Sequence, residues 1–216
     1  MTSSFLIFFV SLVCLTNFGR SRSLESETET VKLVIFGEGR CRDTSYFFKW
    51  HLMPMYKLFG SSGRVSIEYH PFGVKSSCVE DDKGVVSCIC HHGERECGLN
   101  QLQACVIDAF PDFHDHLNHV ECIQGRENIT DAADSCLHDP IFKQAMLNCG
   151  LSNKGRQLVM SHEIAQAELA PDVNWVPWIS INGERLKAAE DDLWQLICDK
   201  YLKPRPEECP KRIHFN

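Results

Sequence analysis

Cys41 has more chemistry to offer than any other residue of this chain. It lies in Gly37-Glu38-Gly39-Arg40-Cys41-Arg42-Asp43-Thr44, after an apolar run and before a helical pattern. A thiol at a helix N-terminus meets unpaired amides and the positive end of the helix dipole, and both favour the thiolate. Arg40 and Arg42 push the same way, so the expectation is an acidic, nucleophilic thiol. Thr44, three residues on, has a hydroxyl that forms no sulfur bridge. A mixed disulfide made at Cys41 would therefore find no second thiol there to resolve it, and Thr44 can at most hydrogen-bond the sulfur. The structural alternative is a Cys41 tied into a disulfide.

A second concentration of reactive side chains runs Cys90-His91-His92-Gly93-Glu94-Arg95-Glu96-Cys97 and on to Asn100 and Cys105. Paired histidines beside paired cysteines admit zinc, whereas an oxidising compartment turns the cysteines into disulfides. His116 and His119, three apart on a predicted helix near His114 and Asp115, could approach a metal, but the spacing suits an exposed helix face equally well. Gly37-x-Gly39 begins like a dinucleotide loop, yet Arg42 occupies the third glycine position and would crowd helix against sheet. No Gly-x-Ser-x-Gly elbow is present for hydrolase chemistry. The reading therefore calls for neither a cofactor nor a bound metal.

The elements that must hold Cys41 are legible around it. Residues 31–36 are a β-rich run ended by Gly37 and Gly39, and Val65, Ile67 and Tyr69 alternate as a second strand. Between them Tyr46, Phe47, Trp50, His51 and Met53 give a helical pattern that Pro54 is expected to kink or stop. Strand, cysteine-bearing turn, helix and strand open a thioredoxin-like βαβ unit with Cys41 at the helix N-terminus. Residues 72–97 read as loop, with Cys78 and Cys88 flanking the turn sequence Asp81-Asp82-Lys83-Gly84 and able to face each other across a hairpin. Helices are predicted over 98–109, 112–123, 134–146 and 155–169. Asn182-Gly183 then predicts a hairpin, and Leu193, Leu196, Ile197 and Tyr201 form one face of a last helix. An irregular tail bears Pro204, Pro206 and Pro210, fastened through Cys209.

The stretch from Cys90 to Cys105 resembles the signature of the gamma-interferon-inducible lysosomal thiol reductase family, C-Q-H-G-x-x-E-C-x-x-N-x-x-x-x-C, with His91 its only departure. The resemblance covers residues 31–210, including Val176-Pro177-Trp178 and the ending from Cys198 to Cys209. It implies an α/β, thioredoxin-like fold with a helical, disulfide-rich insertion over about 98–170. It also implies a cis-proline at Pro177, beside the redox cysteine and framing a substrate groove; an ordinary trans proline before a strand is the plain alternative. The family's redox pair is Cys-x-x-Cys. Here it reads Cys41-Arg42-Asp43-Thr44, so dithiol reductase activity is the part of the resemblance carried over least.

Twelve cysteines suit an oxidising compartment. Residues 5–15 form an apolar run of signal-peptide length, with cleavage after Gly19, Ser21 or Ser23. The organisation read from this is a signal peptide over 1–23, a polar arm over 24–30, one domain over 31–210 and a tail over 211–216. Losing Cys14 with the signal leaves an odd number of cysteines. Pairing Cys78, Cys88, Cys90, Cys97, Cys105, Cys122, Cys136, Cys149, Cys198 and Cys209 then isolates Cys41, with Cys78–Cys88 and Cys198–Cys209 as local guesses. Asn128-Ile129-Thr130 is a glycosylation sequon, placed in a polar loop. The formal charge of −7 argues against nucleic acid as a partner, although protonating all ten histidines would bring it to +3 in an acidic vesicle. The expectation is a secreted protein without a membrane anchor, or alternatively a lysosomal one, that has lost dithiol turnover and binds an unidentified protein partner. A monothiol oxidoreductase or isomerase using Cys41 is the rival, and a covalent dimer through Cys41 is open but not favoured.

Overall fold

The computed structural model describes residues 30–209. The expected signal peptide, all of the arm but Thr30, and the last residues of the tail lie outside them, as does Cys14. β1 (Val31–Gly37) is buried at every position except Lys32, so it has to be paired on both edges and covered on both faces. β2 (Val65–Pro71) pairs with it in parallel, Val31 opposite Val65 through Gly37 opposite Pro71. On the other edge β5 (Trp178–Ile181) runs antiparallel and is joined to β6 (Glu184–Arg185). The sheet order is β2-β1-β5-β6. Asn182 and Gly183, at φ 50° and 82°, supply the left-handed pair that a tight hairpin needs.

The β1–β2 crossover is one helical segment: α1 (Arg42–Phe47), a π-helical turn (Phe48–Leu52) and α2 (Met53–Phe59). Pro54 is expected to kink or stop this helix; the helix is not stopped, and the irregularity takes the form of a π-turn. The π-turn directly before it lets the Met53 amide reach back to the Phe48 carbonyl, and Pro54 then occupies the first turn of α2, where a missing N–H costs nothing. Phe47, Phe48, Leu52, Met55 and Phe59 from this segment pack on Leu33, Ile35, Ile67, Ile179 and Ile181 of the sheet, joined by Leu193 of α8 (Ala189–Leu196). A second π-turn (Ile197–Tyr201) carries Cys198, which is bridged to Cys209.

Between β2 and β5 lie a hairpin, β3 (Ser77–Glu80) with β4 (Val86–Ile89), and five helices, α3 (Glu94–Ala109), α4 (Phe113–Ile123), α5 (Ile129–Cys136), α6 (Pro140–Gly150) and α7 (Asn153–Leu169). The hairpin is the one allowed for across Asp81–Gly84 within the loop expected over 72–97, with Cys78 opposite Cys88. α3 begins four residues before the predicted Gly98, and the single helix predicted over 134–146 is two. Pro140 opens α6 behind an Asp139 N-cap, because the residue before a proline resists the helical region and ends α5 early. The insertion has its own core around Leu99, Leu102, Val106, Ile123, Ala132, Ala133 and Met146. Four disulfides fall between β2 and β5: Cys78–Cys88 and Cys90–Cys97 ahead of the helical insertion or at its first helix, and Cys105–Cys149 and Cys122–Cys136 within it. Among the described residues Cys41 is the free cysteine.

Candidate redox site

Cys41 caps α1 in an extended conformation, and its carbonyl accepts from the Ser45 amide at 3.0 Å and the Ser45 hydroxyl at 2.9 Å. The loop leading to it is clamped by the insertion. Asn100 of α3 accepts the Gly39 amide at 2.8 Å, Gln124 donates to the Glu38 carbonyl at 2.7 Å, and the Gly125 amide reaches the Gly39 carbonyl at 2.8 Å. Gln103 in turn donates to Gln124 at 3.0 Å. Gly39 has to be glycine here, since a Cβ would lie 2.8 Å from that of Leu99 and 2.9 Å from the Asn100 oxygen. The signature asparagine thus positions the turn that presents the cysteine.

The peptide bond between Val176 and Pro177 is cis, and the Val176 carbonyl lies 3.8 Å from the Cys41 sulfur, in hydrogen-bonding geometry with the thiol. Thr44 is fully buried, and its hydroxyl accepts the Glu38 amide at 3.4 Å. The thiol is not the acidic group expected. Cys41 is only 7% exposed, and burial pushes its pKa up, outweighing the Thr44 amide, the Thr44 hydroxyl and the Asp43 amide, which pull it down; the Glu38 charge adds to the rise. Arg40 lies 3.9 Å from Glu127, and neither Arg40 nor Arg42 is among the groups that shift the thiol.

Sequence reasoning also missed the group beneath the signature loop. Glu38 and Glu96 are both fully buried. Burial first, then the Glu96 charge, push the Glu38 carboxyl up to about 8, against smaller downward pulls from the Val74 amide and Lys75. His92 Nδ1 lies 2.5 Å from Glu96 and 3.3 Å from Glu38, and His91 Nδ1 lies 3.4 Å from Glu38. Cys90 and Cys97, bridged to each other, are not available beside these histidines for the zinc arrangement first considered. The signals that pointed here were polar residues set among the apolar positions of α3, Asn100 and Gln103 between Leu99, Leu102 and Val106. Gln124 carried none.

Other candidates stay apart. His116 Nδ1 bonds the Phe110 carbonyl at 2.7 Å and His119 Nδ1 the Cys136 carbonyl at 3.2 Å, so both serve the helical insertion. Burial holds His51, His70, His116 and His162 below their ordinary pKa, His162 down to about 3. These four histidines resist the protonation that a reversal of charge by all ten would require. Asn128 ends the short connection between α4 and α5 as the N-cap of α5, its Oδ1 accepting the Thr130 and Asp131 amides at 3.0 Å each.

Known proteins share both sequence and fold. Residues 32–140 match the family model described as gamma interferon inducible lysosomal thiol reductase (GILT). A GILT-like protein of Caenorhabditis briggsae is 52% identical over 190 residues, 87% of this chain and 86% of that one. One of Caenorhabditis elegans is 46% identical over 212 residues, 97% of each. Among solved structures, DsbA of Chlamydia trachomatis superposes with a TM-score of 0.53 at 13% identity, covering 73% of this chain and 77% of that one. MdbA, a thiol-disulfide oxidoreductase from Corynebacterium diphtheriae, gives 0.51 at 11% identity, covering 77% and 82%. The two structures establish the thioredoxin-like fold; with the family model and the relatives, the chain belongs to the GILT family of thiol oxidoreductases.

Proposed function

We propose that this chain is a GILT-family protein that has lost dithiol reductase turnover and acts by binding a protein at the groove of Cys41 and Pro177. The observation that carries the reading is the state of Cys41. It is a lone thiol, buried, facing the Val176 carbonyl, with its pKa raised, whereas an attacking cysteine is accessible and acidic. Thr44 stands where a resolving sulfur would be and is engaged by the Glu38 amide. Tyr46 and Trp50 on the segment that begins at Cys41, and Trp175 beside Val176, are each about half exposed. Exposed aromatics of this kind anchor protein interfaces. Five disulfides among the described residues support a secreted protein, with the lysosome as the alternative address, and in neither case does any helix of the described residues have the length and apolarity to cross a membrane.

The test is reduction of insulin disulfides by wild type, Thr44→Cys and Cys41→Ser at equal concentration, with and without added thiol, at acidic and neutral pH. Wild type is expected to show no multiple turnover, and Thr44→Cys to recover part of it. Cysteine is smaller than threonine and fits the same buried place. Wild-type turnover that equals Thr44→Cys and depends on Cys41 would overturn the binding reading in favour of a monothiol enzyme.

A further inference from the structure

The two buried carboxylates beside the Cys41 loop have a feature that thiol chemistry does not use. Glu38 and Glu96 are fully buried next to one another, and among the described residues neither has a lysine or arginine within salt-bridge distance. What covers them is a pair of imidazoles, His91 and His92, whose ring centroids are 4.3 Å apart and which remain open to solvent. Gly93, at φ 82°, and the Cys90–Cys97 disulfide turn the chain so that both histidines face down onto Glu38. Glu38 Oε1 is buried with no hydrogen-bond partner.

The spacing of the donor atoms is the informative quantity. One ligand atom each from Glu38, His91 and His92 lies within 4.8 Å of the others, and the two distances to Glu38 are 3.4 and 3.3 Å. Ligands about 2 Å from a tetrahedral ion stand about 3.3 Å from one another. Two imidazoles and a carboxylate are a donor set for zinc and its neighbours rather than for magnesium or calcium. Glu38 beneath, an open pair of histidines above and Glu96, the second buried carboxylate, beside His92 meet the requirements for entry and charge balance. We propose that Glu38, His91 and His92 form a site for one divalent ion of the zinc class, with Glu96 as the fourth donor. Glu96 now hydrogen-bonds His92 Nδ1 at 2.5 Å; binding releases to solvent the proton held between them, together with any proton on Glu38, and lets the exposed His92 ring back away to ligand spacing. His91 stands where the family signature has glutamine and supplies the second imidazole.

The experiment uses the full secreted chain, stripped with chelator and titrated with Zn²⁺ by calorimetry, with folding followed by circular dichroism and melting temperature. Wild type is expected to take up one ion per chain and to melt higher with zinc. His91→Gln and Glu38→Gln should weaken binding by about tenfold or more, while His138→Gln, exposed and distant in sequence, should not. If Glu38→Gln fails to fold, His91→Gln decides, because that side chain is at the surface. Co²⁺ should give a spectrum of nitrogen and oxygen ligation. Absence of saturable uptake, equal affinity in His91→Gln, or a thiolate-to-cobalt band assigning the ion to Cys41 would each overturn the site. Failure of zinc uptake or of the His91→Gln effect leaves insulin reduction untouched, so the failure of this proposal is distinguishable from failure of the binding reading.

Discussion

The sheet half and the helical insertion solve the same problem with different side chains. Around β1 the core is filled by Phe47, Phe48, Leu52, Met55, Phe59 and Tyr69, each burying a large apolar surface. The insertion's core has no fully buried aromatic residue, and Ala132, Ala133, Cys105 and Cys136 stand beside its leucines, Val106, Ile123 and Met146; four of the five disulfides among the described residues lie between β2 and β5. Cross-links stand where apolar volume is short, as in small secreted domains. The free thiol sits in the sheet half, where among the described residues one bridge is found, Cys198–Cys209 at the C-terminal end. A lone cysteine in such a chain therefore reads as a site residue rather than an unpaired staple.

The comparison breaks first at Cys105–Cys149, which closes the longest loop, with a sequence separation of 44. Replacing both cysteines by alanine should cost about 4 kcal/mol on the chain-entropy argument, read as a shift of the urea midpoint. Cys41→Ser, in the other half, should shift it far less. If the two effects are equal, the insertion does not depend on its cross-links and the contrast fails.

How much of this could be read beforehand follows the same division. The strands around Cys41 and the Asn182-Gly183 hairpin are local patterns, and they were legible because periodicity and turn chemistry act over a few residues. The environment of Cys41 was not. Its pKa is decided by burial under segments far away in sequence, from Val176 to the α3–α4 clamp, and a flanking arginine says nothing about where its side chain goes. Glu38 and Glu96 escaped for the same reason: one lies on a loop, the other in a helix, and only the fold sets them together. Helix ends were misplaced where a cap or proline decided them, at Pro140 and Asn128.

The seam between the halves offers the next test. His70 of β2 and His162 of α7 meet Nδ1 to Nδ1 at 3.0 Å, and His70 Nε2 lies 3.0 Å from Glu68. The groups facing them are Glu68, which favours the charged form, and Lys32, which opposes it at His70. Neutral rings suit this geometry, with His70 donating to Glu68 and accepting from His162. Both pKa values are lowered, principally by burial. The contribution to stability is then fully present above the ordinary histidine value of about 6.5 and is lost as pH falls from there toward about 3. At about pH 5 the loss from His162 alone is about 2 kcal/mol relative to neutral pH. Chemical denaturation across that range should show the decline, and His162→Gln should flatten it. A variant as pH-sensitive as wild type would place the titrating seam elsewhere.

The smallest effect separates two roles of one residue inside the insertion. Asn128 caps α5 through Oδ1, while a glycan would be attached at Nδ2, an atom that does not cap. Asn128→Ala removes both functions and should cost about 1 kcal/mol from the lost cap. Thr130→Ala removes the sequon and leaves the cap, since Thr130 contributes its backbone amide and not its side chain. In material expressed through a eukaryotic secretory pathway, both variants should gain the same increment of gel mobility, and glycosidase should bring wild type to the same position. Only Asn128→Ala should melt lower in deglycosylated form. An equal loss of stability in Thr130→Ala would show that the threonine side chain, not the cap, supports α5; unchanged mobility of wild type after glycosidase would show that the sequon is not used.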